Sequence, residues 1–260
     1  MSVQKMWEVG LNIVQIPVLF SVIAAMIRKT GRRMGLFAAF FTFAMIALAL
    51  EDIYWITYDF LRPDTWMPFA ADEFAGSAAI LLLGAALATK VDKDLETKRS
   101  ELVFSVLFMA GCALLWIAWS GEWIQDIVFT APYVYFLYVV IRGLRGTGSL
   151  ERWQTYLAVV ICAAVIILDA VALFVSEQAA GLLYNLNYVI LNGTTILLFV
   201  KVLRSKSRPL FLSFALYVWS RLVIYLSSDL FYNIGLALQI LTLPVICYAV
   251  ISSMEKEGVQ

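Results

Sequence analysis

The stretch LYVWSRLVIYLSSDLF, Leu216 to Phe231, reads as part of a membrane-spanning helix apart from one residue. Arg221 carries a permanent charge near its middle, and a guanidinium there costs about 2.5 to 3.5 kcal/mol on insertion scales. The residue must therefore be compensated from elsewhere in the chain, and the search for its partner organises the reading of the sequence.

The context of the stretch sets the fold class. The chain has 260 residues, 62% of them hydrophobic, and a mean hydropathy of +0.86. A soluble domain of this length cannot hide so much apolar side chain. Apolar runs of roughly 20 residues recur along the whole chain, as transmembrane helices require. An all-α, polytopic transmembrane bundle of about nine spans is expected, forming a single integral membrane domain over residues 1–260.

The expected spans are Gly10–Ile27, Gly35–Tyr58, Glu73–Thr89, Leu102–Trp119, Ile124–Ile141, Trp153–Val175, Gly181–Val202, Leu210–Leu230 and Tyr232–Ser252. The first lacks a small-residue cleavage site and runs directly into Arg28, Lys29, Arg32 and Arg33, so it reads as a retained helix. The tail from Ser253 to Gln260 is too short for an output domain of its own.

Loop charges orient the spans. Alternate loops carry Arg28/Lys29/Arg32/Arg33, Lys90/Lys93/Lys98/Arg99, Arg142/Arg145/Arg152 and Lys201/Arg204/Lys206/Arg208. The intervening loops carry Arg62 and otherwise acids and aromatics, among them Asp64, Asp72, Glu73, Glu122 and Glu177. The positive-inside rule then predicts an external N-terminus, a cytoplasmic C-terminus and a cell-membrane location. After the first helix the spans read as four in–out–in hairpins, each first helix bearing a carboxylate near its outer end: Glu51/Asp52, Glu122/Asp126, Asp169 and Asp229. The likeness is one of pattern rather than residue identity. An ancient duplication and simple membrane alternation both account for it.

Depth narrows the candidate partners of Arg221. At the helical rise, Arg221 lies roughly 17 Å along its span, and Asp169 and Glu51 each lie roughly 24 Å along theirs. Asn185, Asn187, Asn192, Gln239 and Tyr133 fall in the same outer half. Asp169, Glu51 and Asp52 are the expected partners, since intramembrane charges face the bundle interior and pair. A purely structural ion pair is the bland alternative. Three acids against one arginine argue beyond it, toward a site that binds a cation, holds a proton or admits water.

Two further stretches bear on the site. In LALEDIYWITYDFLRPDTW, Leu48 to Trp66, the residues Glu51, Tyr54, Trp55 and Tyr58 share one helix face. A carboxylate beside aromatic walls suits an organic cation, although an interfacial aromatic belt explains the rings equally well. On the seventh span Asn185, Tyr188 and Asn192 share a face, with Asn187 off it; interhelical hydrogen bonding accounts for such a stripe without a ligand. The expected ligand-binding set is Glu51, Asp52, Tyr54, Trp55, Asp169, Asn185, Asn187 and Arg221.

Enzyme signatures are absent from the sequence. It has no histidine, which excludes a Ser-His-Asp triad and the usual zinc hydrolases, and no HExxH, G-x-S-x-G or nucleotide-binding motif occurs. Cys112, Cys162 and Cys247 lie in separate apolar runs without CxxC spacing and read as small apolar residues. No lysine lies mid-span to carry a Schiff-base cofactor. No cofactor, no catalytic residues, no metal and no nucleic-acid partner are expected. The leading expectation is binding of a small polar or cationic molecule in an outward-half cavity, for transport. A receptor or sensor module signalling to a protein partner at the cytoplasmic face is the alternative, and a lipid-modifying membrane enzyme using buried carboxylates is a third.

Overall fold

The computed structural model describes residues 3–31, 34–62, 71–120, 123–146, 152–176, 178–183, 186, 190, 209–225 and 229–258. About 90% of the described residues are helical, and no strand occurs among them. The helices are α1 (Val3–Thr30), α2 (Leu36–Trp55), α3 (Ala71–Ala88), α4 (Arg99–Ser120), α5 (Trp123–Gly146), α6 (Arg152–Ala172), α7 (Pro209–Tyr225) and α8 (Asp229–Gly258). A π-helical turn, Ile56–Leu61, continues α2.

Five helical stretches are long and apolar enough to cross a membrane among the described residues: Met6–Thr30, Leu36–Tyr58, Ala71–Ala88, Ile127–Arg145 and Tyr232–Glu255. The all-α class and several apolar helices compatible with a membrane protein are therefore established. The seventh expected span lies almost wholly outside the described residues. The eighth is helical as α7, which has 17 residues.

The helices form two compact units, one of Met1–Lys90 with Pro209–Gln260 and one of Val91–Arg208. In the first unit α2 packs against α3, α7 against α8, and α1 against both α2 and α8. The α2–α3 contact is close because α3 presents Gly76, Ala79, Gly84 and Ala86 among its buried residues, and small side chains let helix backbones approach. Phe41 of α2 meets Phe214 of α7 with ring centroids 6.0 Å apart. α1 stops at Gly31, whose φ of 55° is left-handed and whose amide donates to the Ile27 carbonyl at 2.9 Å; glycine takes this capping conformation without the clash a Cβ would cause.

Two contacts fix which helix ends of this unit lie together. Lys29, at the end of α1, pairs with Glu255, near the end of α8, at 2.5 Å. Lys90, just past α3, stands 4.4 Å from the ring centroid of Phe37, at the start of α2. α1 and α8 thus end on the same side, and α2 and α3 are antiparallel.

In the second unit α4 packs against both α5 and α6. Glu101, in the first turn of α4, is only 2% exposed and pairs with Arg145 of α5. Arg145 also donates to the Glu96 carbonyl, and Arg142 donates to the Leu95 carbonyl at 2.5 Å. Two arginines one turn apart so tie the segment before α4 to the end of α5. Replacing Glu101 by Ala leaves Arg145 without its carboxylate. Because Arg145 keeps some solvent contact, the expected loss is about 1 to 3 kcal/mol, read as a lowered unfolding midpoint of the purified protein. The exposed Lys29–Glu255 pair serves as the control, since Lys29→Ala should change stability by less than about 1 kcal/mol.

Cys112 and Cys247 are buried free thiols; the side chain of Cys162 lies outside the described residues.

Candidate binding site

The partner of Arg221 is Glu51. Arg221 Nη1 donates to Glu51 Oε2 at 2.9 Å and Nη2 to Glu51 Oε1 at 2.5 Å, a fork-to-fork arrangement that uses the planar geometry of both groups. Arg221 is 3% exposed. The pair joins α2 to α7, elements far apart in sequence, inside the first unit.

Gly76 of α3 makes the pair sterically feasible. A methyl group built on its α-carbon would stand 2.7 Å from Glu51 Oε1 and 2.8 Å from Arg221 Nη2. Position 76 is where the backbone of α3 comes up against the fork, and any side chain there displaces it. Nothing in the run ADEFAGSAAI marks this glycine as different from other small residues of a packed helix.

Around the fork lies a polar shell. Tyr217, one turn before Arg221, is fully buried; its hydroxyl accepts from Gln239 Nε2 of α8 at 3.2 Å and is hydrogen-bonded to Arg221. Asp52 accepts from Gln15 Nε2 of α1 at 3.3 Å. Tyr232 of α8 is hydrogen-bonded to Glu8 of α1.

Of these, Gln15, Glu51, Asp52, Arg221, Tyr232 and Gln239 line a cavity of about 140 Å³. Among the described residues, its carboxylates are Glu51, Asp52, Asp72 and Glu73, and its basic group is Arg221. Asn12, Gln15 and Gln239 add amides, and Trp55, Tyr232 and Leu236 add rings and an apolar wall. The acids are not gathered as metal ligands, for no group of three or more His, Cys, Asp or Glu side chains is so arranged among the described residues. The π-helical turn begins directly after Trp55, and such departures from α geometry are frequent beside functional sites.

Four of the residues expected from sequence, Glu51, Asp52, Trp55 and Arg221, meet at this cavity. Tyr54 does not line it. Its side chain is 38% exposed and stacks on Tyr58 with ring centroids 6.1 Å apart and planes 7° apart. Asp169 is buried on α6 in the second unit and is itself partnered. Asn185 and Asn187 lie outside the described residues. Sequence reasoning passed over Asn12 and Gln15, although two amides three residues apart in an apolar run signal a polar helix face. It also treated Asp72 and Glu73 only as loop charges.

No family model matches the chain, and no curated protein or solved structure is significantly similar to it. What the fold and the cavity define is an all-helical protein with several helices of membrane-crossing length and an acidic, amide-rich cavity among four of them.

Proposed function

We propose that this is a nine-span protein of the cell membrane, with an external N-terminus and a cytoplasmic C-terminus, whose cavity binds a small polar or cationic molecule for transport. The observation that carries the proposal is the acidity of the cavity wall. Among the described residues Glu51, Asp52, Asp72 and Glu73 line it with Arg221, whose guanidinium is matched to Glu51. A cation entering the cavity is attracted by such a wall, whereas an anion is repelled.

The topology draws support from the helix ends. The Lys29–Glu255 and Lys90–Phe37 contacts lie at the basic ends that the positive-inside rule assigns to the cytoplasm. The cavity residues come from the opposite ends of the same helices, which suits access from outside.

Reporter fusions after Arg99 and Gly146 should read cytoplasmic, and one at Asp64 external. An external reading at Gly146 overturns the arrangement. For transport, purified protein in phosphatidylcholine proteoliposomes should take up labelled small organic cations saturably, and Asp52→Asn should abolish uptake. Saturable binding without uptake would favour the receptor reading.

A further inference from the structure

Two acids are neighbours on α2, and their surroundings treat them differently. Glu51 receives both terminal nitrogens of Arg221, at 2.9 and 2.5 Å. Asp52 is 5% exposed. Among the described residues its carboxyl accepts one side-chain hydrogen bond, from the neutral Gln15 amide at 3.3 Å. That is longer than the about 2.7 to 2.9 Å of a charge-assisted bond. Its second oxygen, Oδ2, has no hydrogen-bond partner and is closed to water.

The charges around Asp52 do not supply a counter-charge of its own. Beside it on α2 stands Glu51, itself an acid. The first turn of α3 brings Asp72 and Glu73 to the same cavity. Tyr217 of α7 and Tyr232 of α8 are neutral hydroxyls, the second hydrogen-bonded to Glu8 of α1. Arg221 of α7 is the cation that acts on Asp52, and its fork is on Glu51. An ionised Asp52 so placed is far costlier than a neutral acid. Gln15 suits the neutral acid as well. With its amide turned over, the carbonyl oxygen accepts from a protonated Asp52 oxygen across the same contact, because amide oxygen and nitrogen are nearly alike in shape.

We infer that Asp52 is the proton site of the cavity: it holds a proton while no cation is bound and gives it up when a cation enters, so that the protein exchanges one for the other. This rests on the cation reading proposed above and adds the coupling ion to it. The exchange balances. The O–H bond of Asp52 breaks, the proton leaves to water, and the carboxylate keeps the electron pair as counter-charge to the incoming cation. Asp52 lines the cavity, so a cation there favours the ionised form, and a turn of the side chain toward the cavity gives the proton its way out. Asp52 and its occupant together are neutral before and after, and at neither stage is a carboxylate left buried without compensation.

The test uses the full chain in phosphatidylcholine nanodiscs, with n-butylammonium, tetramethylammonium and sodium chlorides as probes. Without a probe at about pH 7, infrared difference spectra of the parent against Asp52→Asn should show the carbonyl stretch of one protonated carboxylic acid. Carbon-13-labelled aspartate and Gln15→Leu should each shift that band. Any probe that binds should remove the band and release about one proton per protein into a weakly buffered medium. Its affinity should weaken about tenfold for each unit of falling pH between about pH 7 and about pH 5.5, because acid fills the site that the cation must empty. In Asp52→Asn that slope should be lost. Identical spectra of parent and Asp52→Asn overturn the inference, since position 52 is then an ionised carboxylate. A band that persists under a bound probe, with affinity independent of pH, also overturns it and leaves cation binding standing. Failure of all three probes to bind removes the exchange together with the functional proposal. Should Asp52→Asn fail to fold, labelling and Gln15→Leu still identify the acid, and a band that neither moves belongs elsewhere and overturns the inference.

Discussion

Arg221→Ala should lower the stability of the purified protein by about 3 to 5 kcal/mol, the cost of stranding one member of a buried ion pair. The loss reflects what remains as much as what is removed. Glu51 would keep its place against α3 and α7 with neither guanidinium nitrogen to satisfy it, and the Tyr217 hydroxyl would lose a donor. Arg221→Lys should give an intermediate loss, because an ammonium keeps the charge but cannot match both carboxylate oxygens with a planar fork. The double variant Arg221→Met with Glu51→Leu should regain most of the stability, since apolar groups of similar volume commonly replace a buried pair at little cost. Chemical or thermal unfolding in one detergent provides the comparison. If Arg221→Ala unfolds at the same point as the parent, the fork contributes nothing, and the account of this cavity falls with it.

Gly76→Leu should be comparably damaging for the opposite reason, an excess of atoms. Even a methyl group would stand within 3 Å of three atoms of the fork, far inside ordinary van der Waals contact. For Gly76→Ala, about 1 kcal/mol gained from helix propensity opposes an overpacking cost of about 1 to 3 kcal/mol, so a loss of up to about 2 kcal/mol is expected. Leucine cannot be accommodated by a small retreat of the ion pair and should either separate α3 from α2 or break the fork. A double-mutant cycle makes the mechanism specific. In the Arg221→Met, Glu51→Leu background the alanine penalty should change by 0.5 kcal/mol or more, the scale of coupling between residues in contact. A penalty identical in both backgrounds would place its origin in α3 itself.

By itself the sequence determined the class of the protein and the identity of its costliest residue. Apolar runs of roughly helical length point to an all-helical fold, and the described residues have it. The same runs make Arg221 conspicuous and require an acid for it, and depth along the helices was enough to put Glu51 and Asp52 in reach. Depth says nothing about lateral position, however. Asp169 and Glu51 stand equally far along their spans, and only the packing of α7 against α2 and α3 set Arg221 on Glu51. Helix faces were likewise legible only as periodicities. Tyr54 and Trp55 belong to one sequence pattern, yet Trp55 meets the cavity and Tyr54 stacks outward on Tyr58. The remaining parts, Gln15 against Asp52, Gln239 against Tyr217 and the missing side chain at Gly76, emerged only in three dimensions. Whether a buried polar atom has a partner, and whether a glycine has room for a methyl group, depends on atoms contributed by other helices.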